Sequence, residues 1–520
     1  NGADWADEVQ QLDRMSKITK QDVVDWANKY LGPESYAIVY KREGKDPNEQ
    51  KIAAPKITPI VTNRDSQSEF LTEIQNSKVE PIEPVFVDYK KDMSQFEAQK
   101  GVNVLYKKNE TNDIFTLIYV FNTGTENDPA LNLAFDYLSY LGTDKMSAEQ
   151  IASEMYAIAC SFGLSAGTNQ SWIEISGLSE NMGKAMEIVE GLIAGAQPNE
   201  EILQNLKGDM IKSRADAKLN QSRCFGALQR YMIYGSDFIR RTTLTDPALQ
   251  GLTSEQLLAK IGDLMGKQHE VLYYGPQDEA EVKAALTAHH KVAADLQPLE
   301  KKFSTLQPTD ENKVMLAQYD AKQLYYLQYA NLGKQFDVAA DPEITLYNEY
   351  FGGGMNTIVF QEMREARGLA YSAWANLAIP TNAKGDYYYM AFIATQNDKM
   401  QKAIEAFDEI INNMPESETA FKIAKEGLIS RLRTDRTVKE QVLWSFIGLR
   451  NLGLEEDRDK QIFEKVQAMT LADVKAAQEK WVKNRKYVYG ILGDIQDLDL
   501  NYLKTLGPIR TVSQEEIFGY

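Results

Sequence analysis

A chain of 520 residues exceeds what one hydrophobic core can serve, and 43% hydrophobic with 25% charged residues is the balance of a folded protein of about two to four domains. A net charge of −18 without a basic stripe excludes a nucleic-acid partner, and no run of about 18 apolar residues is present to span a membrane. Cys160 and Cys224 are too few for a disulfide framework or a cysteine zinc site, and they do not reveal the compartment.

Asn1-Gly2-Ala3-Asp4-Trp5 has no initiator Met, basic region or apolar core of a signal peptide, so a chain truncated at its front is expected. The first pattern then runs from Ile18-Thr19-Lys20-Gln21-Asp22-Val23 to Tyr36-Ala37-Ile38-Val39-Tyr40. It predicts a Thr-capped amphipathic helix, a polar turn and a short β-branched and aromatic strand. The same pattern recurs from Leu252-Thr253 to Tyr274-Gly275, and again from Met469-Thr470 to Tyr489-Gly490.

A second marker also recurs. The strand-like run Ile114–Phe121 precedes Asp128-Pro129, and Leu324–Tyr329 precedes Asp341-Pro342. Asp as N-cap with Pro at the first helical position is a sound helix start. Asp128 to Asp341 is 213 residues and Thr253 to Thr470 is 217, so two unrelated markers give nearly one offset.

The expected organisation is α+β: two homologous units of antiparallel sheet packed with helices, at 96–290 and 313–520. Residues 1–45 match only the tail of that plan and are expected to end a preceding unit. Residues 46–95, with Pro55, Pro59, Pro81 and Pro84, and residues 291–312, with Pro298 and Pro308, read as linkers suited to extended surface connections.

Catalytic residue types are sparse. His269, His289 and His290 sit in no H-E-x-x-H, H-x-x-E-H or Cys/His cluster, and they read as surface or capping histidines. Gly352-Gly353-Gly354-Met355-Asn356-Thr357 suggests a phosphate loop but lacks the Lys such a loop needs, which favours a tight turn between helices. Just beyond lies Phe360-Gln361-Glu362-Met363-Arg364-Glu365-Ala366-Arg367-Gly368-Leu369-Ala370-Tyr371-Ser372. A helix ending near Arg367, a left-handed Gly368 and a strand from Leu369 would let Arg364 and Tyr371 converge. A guanidinium and a phenol together suit a peptide carbonyl or an oxyanion. The alternative is that Arg364 pairs with a nearby acid and Tyr371 is a half-buried strand residue.

The Gly-rich turn, the run M-R-E-x-R-G-L-A-Y-S and the duplicated unit resemble the pitrilysin, or insulin-degrading-enzyme, family of inverted-zinc-motif metallopeptidases, over essentially the whole chain. The resemblance implies four homologous units in two clam-shell halves around a closed chamber, with H-x-x-E-H binding zinc in the first unit. It further implies that this chain is the C-terminal, non-catalytic half, with the third and fourth units, and that Arg364 and Tyr371 contact substrate. Laid on the family's zinc helix, Leu131 to Thr143 puts Leu133, Asp136 and Tyr137 where two His and a Glu belong, so no zinc is expected here. Zinc is expected in the missing N-terminal half of the same polypeptide, and the whole would be an endopeptidase acting on unfolded peptides. The rivals are a catalytically inactive binding or assembly subunit and a peptide-holding module. Relatives imply a bacterial periplasm, envelope or cytoplasm.

Overall fold

The computed structural model describes residues 5–40, 44, 68–78, 80–299 and 301–520. The chain divides into two compact units, 1–80 and 81–520. In the first, the helices Trp5–Val9, Gln11–Met15 and Lys20–Tyr30 bury none of their residues. Thr19 caps the third helix as its sequence predicts: its hydroxyl accepts from the Asp22 amide at 3.2 Å, and the Asp22 carboxylate accepts from the Thr19 amide at 2.8 Å. The predicted strand at Tyr36–Tyr40 does not form. Among the described residues of this unit there is no sheet edge to pair with, and an isolated strand leaves its backbone groups without partners. Of the predicted linker 46–95, residues 46–67 lie outside the described residues.

The second unit contains two six-stranded sheets. The first comprises β1 (Ser94–Gln99), β2 (Val102–Lys108), β3 (Ile114–Phe121), β4 (Cys160–Ala166), β5 (Ser171–Leu178) and β6 (His269–Gly275), in the order β1-β2-β6-β3-β5-β4. The other comprises β7 (Lys313–Gln318), β8 (Gln323–Gln335), β9 (Ser372–Ala378), β10 (Asp386–Gln396), β11 (Val488–Gly493) and β12 (Ile509–Val512), in the order β12-β7-β11-β8-β10-β9. Both are mixed: β2 runs parallel to β6 and β7 parallel to β11, while β3, β5 and β4 match β8, β10 and β9 in antiparallel order. Only the outermost strand differs. It is the N-terminal, antiparallel β1 in one sheet and the C-terminal, parallel β12 in the other.

Thr253 and Thr470 both close capping boxes at the helices Ser254–Met265 and Leu471–Trp481, as predicted. The Asp-Pro starts differ from expectation. Asp341 is itself the first helical residue, buried against the Arg458 guanidinium at 2.6 Å, and the Asp128 helix begins only at Leu131. Asp128 instead accepts from the Ala130 amide at 3.0 Å and pairs with Lys260 at 2.5 Å, so tertiary ion pairs took the place of end caps.

One face of each sheet is covered by its own helices, and the other face by a helix from the opposite half. Gln221–Thr242 lays Cys224, Phe225, Leu228 and Met232 across Leu327, Tyr329, Phe392 and Leu492 of the second sheet. Gln441–Asn451 lays Val442, Leu443 and Ile447 across Leu105, Ile118, Val120 and Leu272 of the first. Each such buried aliphatic contributes about 1.5–3 kcal/mol, so this exchange ties the two sheets together. The helix approaches β11 so closely that a Cβ on Gly490 would sit 2.1 Å from the Met232 sulfur.

The segments read as linkers also pack. Val87 donates its amide to Asp457 at 3.0 Å and Tyr89 its hydroxyl to Ser445 at 3.0 Å, while Leu296 is buried in the core of the first sheet.

Candidate functional site

The helix that follows the Gly-rich turn runs from Ile358 to Phe360 and then widens into a π-helical turn, Gln361–Ala366. Its signature is the Arg367 amide donating five residues back to the Glu362 carbonyl at 3.2 Å. Gly368 closes it at φ +57°, as the sequence predicts, and the Leu369 amide returns to the Met363 carbonyl at 2.9 Å. Fully buried Met363 anchors the turn from below. The strand begins at Ser372 rather than Leu369. Residues 368–371 form a bridge, held by the Thr395 hydroxyl on the Leu369 carbonyl at 2.6 Å and by Lys399 on the Gly368 carbonyl at 3.3 Å.

This bridge delivers Tyr371 to Arg364. The guanidinium carbon lies 4.9 Å from the centre of the Tyr371 ring and 4.9 Å from that of Phe360, one helical turn earlier. Arg364 therefore lies over two aromatic rings. Among the described residues it forms an ion pair with Glu365, at 3.5 Å. Arg367 has a different fate: Glu409 at 2.7 Å and Glu362 at 3.4 Å neutralise it, and the Glu409 bond raises its pKa further. Of the motif's two arginines, Arg367 thus meets two carboxylates and Arg364 one, at a longer distance than the Arg367–Glu409 pair. Of the alternative reading, the nearby acid for Arg364 is present in Glu365, whereas Tyr371, 77% exposed, is not a half-buried strand residue. Phe360 is the residue that the sequence reading missed; its position four before Arg364 on a helix was the available signal.

The Gly-rich run is a turn between helices, as favoured. A Cβ on Gly352 would fall 2.4 Å from the Asn348 carbonyl oxygen, and Thr357 donates its hydroxyl to the Gly354 carbonyl at 2.7 Å. Beside it opens a groove of about 410 Å³ walled by Met355, Ala420, Ile423 and Ala424.

The positions aligned with the zinc helix fall on Leu131–Leu138. Leu133 and Tyr137 are buried in the core and Asp136 is exposed, its carboxylate accepting from Asn132 at 3.1 Å. The Tyr137 hydroxyl accepts from the Asn199 amide at 2.7 Å and bonds Ser254 at 2.8 Å. These side chains do not fit a metal, and no cluster of three His, Cys, Asp or Glu suited to one occurs among the described residues.

His290 takes the C-cap of the helix Glu279–His289, as expected, but neither it nor His269 lies on the surface. His290 is 0% and His269 5% exposed, with ring nitrogens 2.8 Å apart, and His290 meets Glu190 at 2.5 Å. The partners lie on three separate elements, which spacing along the chain could not reveal.

Residues 264–428 match the family model described as the peptidase M16 inactive domain. An uncharacterized zinc protease of Streptomyces coelicolor is 23% identical over 272 residues, covering 48% of this chain and 56% of that protein. The chain thus spans little more than half the length of that relative. Among solved structures, a peptidase M16 inactive domain from Pseudomonas fluorescens superposes with a TM-score of 0.61 at 18% identity, over 77% of this chain and 98% of that one. The periplasmic protease PqqL of Escherichia coli superposes with a TM-score of 0.63 at 14% identity, over 93% of this chain and 52% of that one. Residues 264–428 are therefore similar to the peptidase M16 inactive domain, and about half of the chain is similar to an uncharacterized zinc protease.

Proposed function

We propose that this chain is the substrate-holding half of a zinc metalloendopeptidase that cleaves unfolded peptides in a closed chamber, paired with an N-terminal catalytic half of the same polypeptide. Residues 96–290 and 313–520 are read as two copies of one plan, the third and fourth units of the whole. Residues 1–45 are read as the tail of the second. The shared strand order of the two sheets supports that reading.

The observation that carries the functional reading is Arg364, lying over Phe360 and Tyr371 and only loosely paired with Glu365, beside an exposed Tyr371. A guanidinium fixed by two rings loses little rotamer freedom when it donates, so it can grip a peptide carbonyl at low entropic cost. The Tyr371 hydroxyl, turned to solvent, supplies a second donor to the same carbonyl or to the negative charge that grows on it during attack. Zinc would be held by the other half, since Leu133, Asp136 and Tyr137 of this chain are no ligand set for it.

The test is anisotropy of fluorescein-labelled unstructured basic peptides on the chain and on Arg364→Ala and Tyr371→Phe. Affinity should fall about 10-fold or more for Arg364→Ala and less for Tyr371→Phe. Wild-type affinity in both variants would end the reading. Peptide hydrolysis and metal analysis of the full-length polypeptide separate the endopeptidase from a catalytically inactive binding subunit.

A further inference from the structure

The ladder between β9 and β10 stops just short of Tyr371. Its last pair is Ser372 with Ala394, although β10 runs on and stays paired with β8 through Thr395–Leu324 and Gln396–Gln323. One more step in register would set Tyr371 opposite Thr395, and residues opposite each other share a face of the sheet. Side chains alternate along a strand, and Ala373, Ala375 and Leu377 of β9 lie in the core with Tyr389, Ala391 and Ile393 of β10. Tyr371 has their parity. A continued β9 would therefore turn the Tyr371 ring onto the core face beside Thr395, which is itself buried. The ring is on the surface instead.

What takes its place is Leu369. In a continued ladder Leu369 would face Asn397, and an extended chain, rising about 3.3 Å per residue, would carry its carbonyl out of reach of Thr395. That carbonyl in fact accepts the Thr395 hydroxyl at 2.6 Å. The chain between Leu369 and Ser372 is thus not extended, and the surplus length is taken up at Ala370 and Tyr371.

Leu369 is fixed at both its peptide groups, since its amide returns to the Met363 carbonyl at 2.9 Å. Lys399 adds a longer tie, on the Gly368 carbonyl at 3.3 Å. Leu369 and Ala370 pack against the core in place of the Tyr371 ring, which turns to Arg364 and lies 4.9 Å from the guanidinium carbon.

We propose that Thr395 is a positioning residue for the Arg364–Tyr371 pair: by holding the Leu369 carbonyl, its hydroxyl keeps Tyr371 out of the ladder and on the guanidinium. Threonine suits the task, because its branched body completes a buried strand face while its hydroxyl donates to a chain that has left the strand. The consequence for peptide binding rests on Arg364 and Tyr371 being the peptide-holding pair; the placement of the ring does not.

The experiment uses the full 520-residue chain labelled with 3-fluorotyrosine, the Tyr371 ¹⁹F line being identified by its loss in Tyr371→Phe. In wild type a soluble gadolinium chelate should broaden that line. Thr395→Val keeps the shape and removes the donor, so the line should shift and become shielded from the chelate, and Thr395→Ser, which keeps the hydroxyl, should return it to the wild-type position. Lys399→Ala removes the second tie from outside the core; it should move the line the same way by less, and it serves if Thr395→Val does not fold. Anisotropy of a fluorescein-labelled unstructured basic peptide should show about 5-fold weaker binding in Thr395→Val, restoration to within about 2-fold in Thr395→Ser, and no further loss when Thr395→Val is added to Arg364→Ala. A Tyr371 line unmoved in both Thr395→Val and Lys399→Ala, or displaced by Thr395→Ser as far as by Thr395→Val, would overturn the assignment whatever the peptide does. A line that moves as expected while Arg364→Ala binds peptide like wild type would uphold Thr395 as the residue that places the ring and end the reading of the pair as a peptide holder.

Discussion

Tyr350 makes for the second sheet's long helix the bond that Tyr137 makes for the first. Tyr350 accepts from the Ser417 amide at 3.0 Å, just ahead of the helix Glu418–Thr434, as Tyr137 accepts from the Asn199 amide at 2.7 Å, just ahead of Glu200–Lys218. Behind each, a lysine closes a helix-to-helix junction: Lys207 donates to the Gln250 and Leu252 carbonyls, and Lys425 to those of Gln467 and Met469. The tyrosine at a position aligned with a zinc ligand is thus a helix-capping group. Tyr137→Phe would take this partner from the Asn199 amide and from the buried Ser254 hydroxyl and should cost about 1–3 kcal/mol in a urea titration, and Tyr350→Phe a similar amount. An unchanged midpoint in both would show that the hydroxyls do not hold these helices.

The two-ring clamp on Arg364 yields a prediction about Phe360. Phe360→Leu keeps the aliphatic bulk and removes one π face, so Arg364 should lose part of its fixed orientation. Peptide affinity should drop about 2- to 5-fold, the equivalent of 0.5–1 kcal/mol, with the unfolding midpoint nearly unmoved. If affinity is preserved while Arg364→Ala abolishes binding, the stack on Phe360 does not position the guanidinium.

What could be seen beforehand was local. Thr19, Thr253 and Thr470 announce their helices because a cap and its reciprocal partner lie three residues apart, and Gly368 announces a left-handed turn because side chains avoid that conformation. The Arg364–Tyr371 meeting was within reach for the same reason, since seven residues and one turn separate them. Glu190 and His290 are 100 residues apart, and nothing in either neighbourhood signals the other. The exchanged helices were equally hidden. An apolar stripe on Gln441–Asn451 says that a face is buried, but not that the burying surface belongs to the first sheet.

That exchange is reinforced by Arg450, at the end of the crossing helix, which grips Glu270 of β6 with both nitrogens, one of the two bonds measuring 2.7 Å. A two-pronged bond outlasts a single one, but Arg450 is 42% exposed, which limits the gain. Arg450→Ala should cost about 1 kcal/mol in low salt and less in 1 M NaCl. A loss unchanged by salt would assign the effect to the guanidinium's contact with the Phe446 ring, 5.8 Å from its centre, rather than to the ion pair.

Asp408 gives the opposite sign from an ordinary paired carboxylate. Burial on the helix Met400–Asn412 pushes it up to about 6, against the bond donated by Gln328 at 3.3 Å. Its charge is therefore less welcome in the folded chain than in the unfolded one, whose carboxyl ionises near 3.8. Its contribution is most favourable below that value and erodes as pH rises through 6, by up to about 3 kcal/mol. Asp408→Asn keeps an oxygen for Gln328 and removes the titration. The variant should be more stable than wild type at pH 8 and indistinguishable from it near pH 2.5, where the carboxyl is protonated in both the folded and the unfolded chain. His269 bends wild-type stability the other way over part of the same range, from its unfolded value near 6.5 down to about 4. The difference between Asp408→Asn and wild type cancels that contribution, because His269 titrates alike in both. A variant destabilised at pH 8 would mean that the Asp408 charge is paired in solution by a group beyond Gln328.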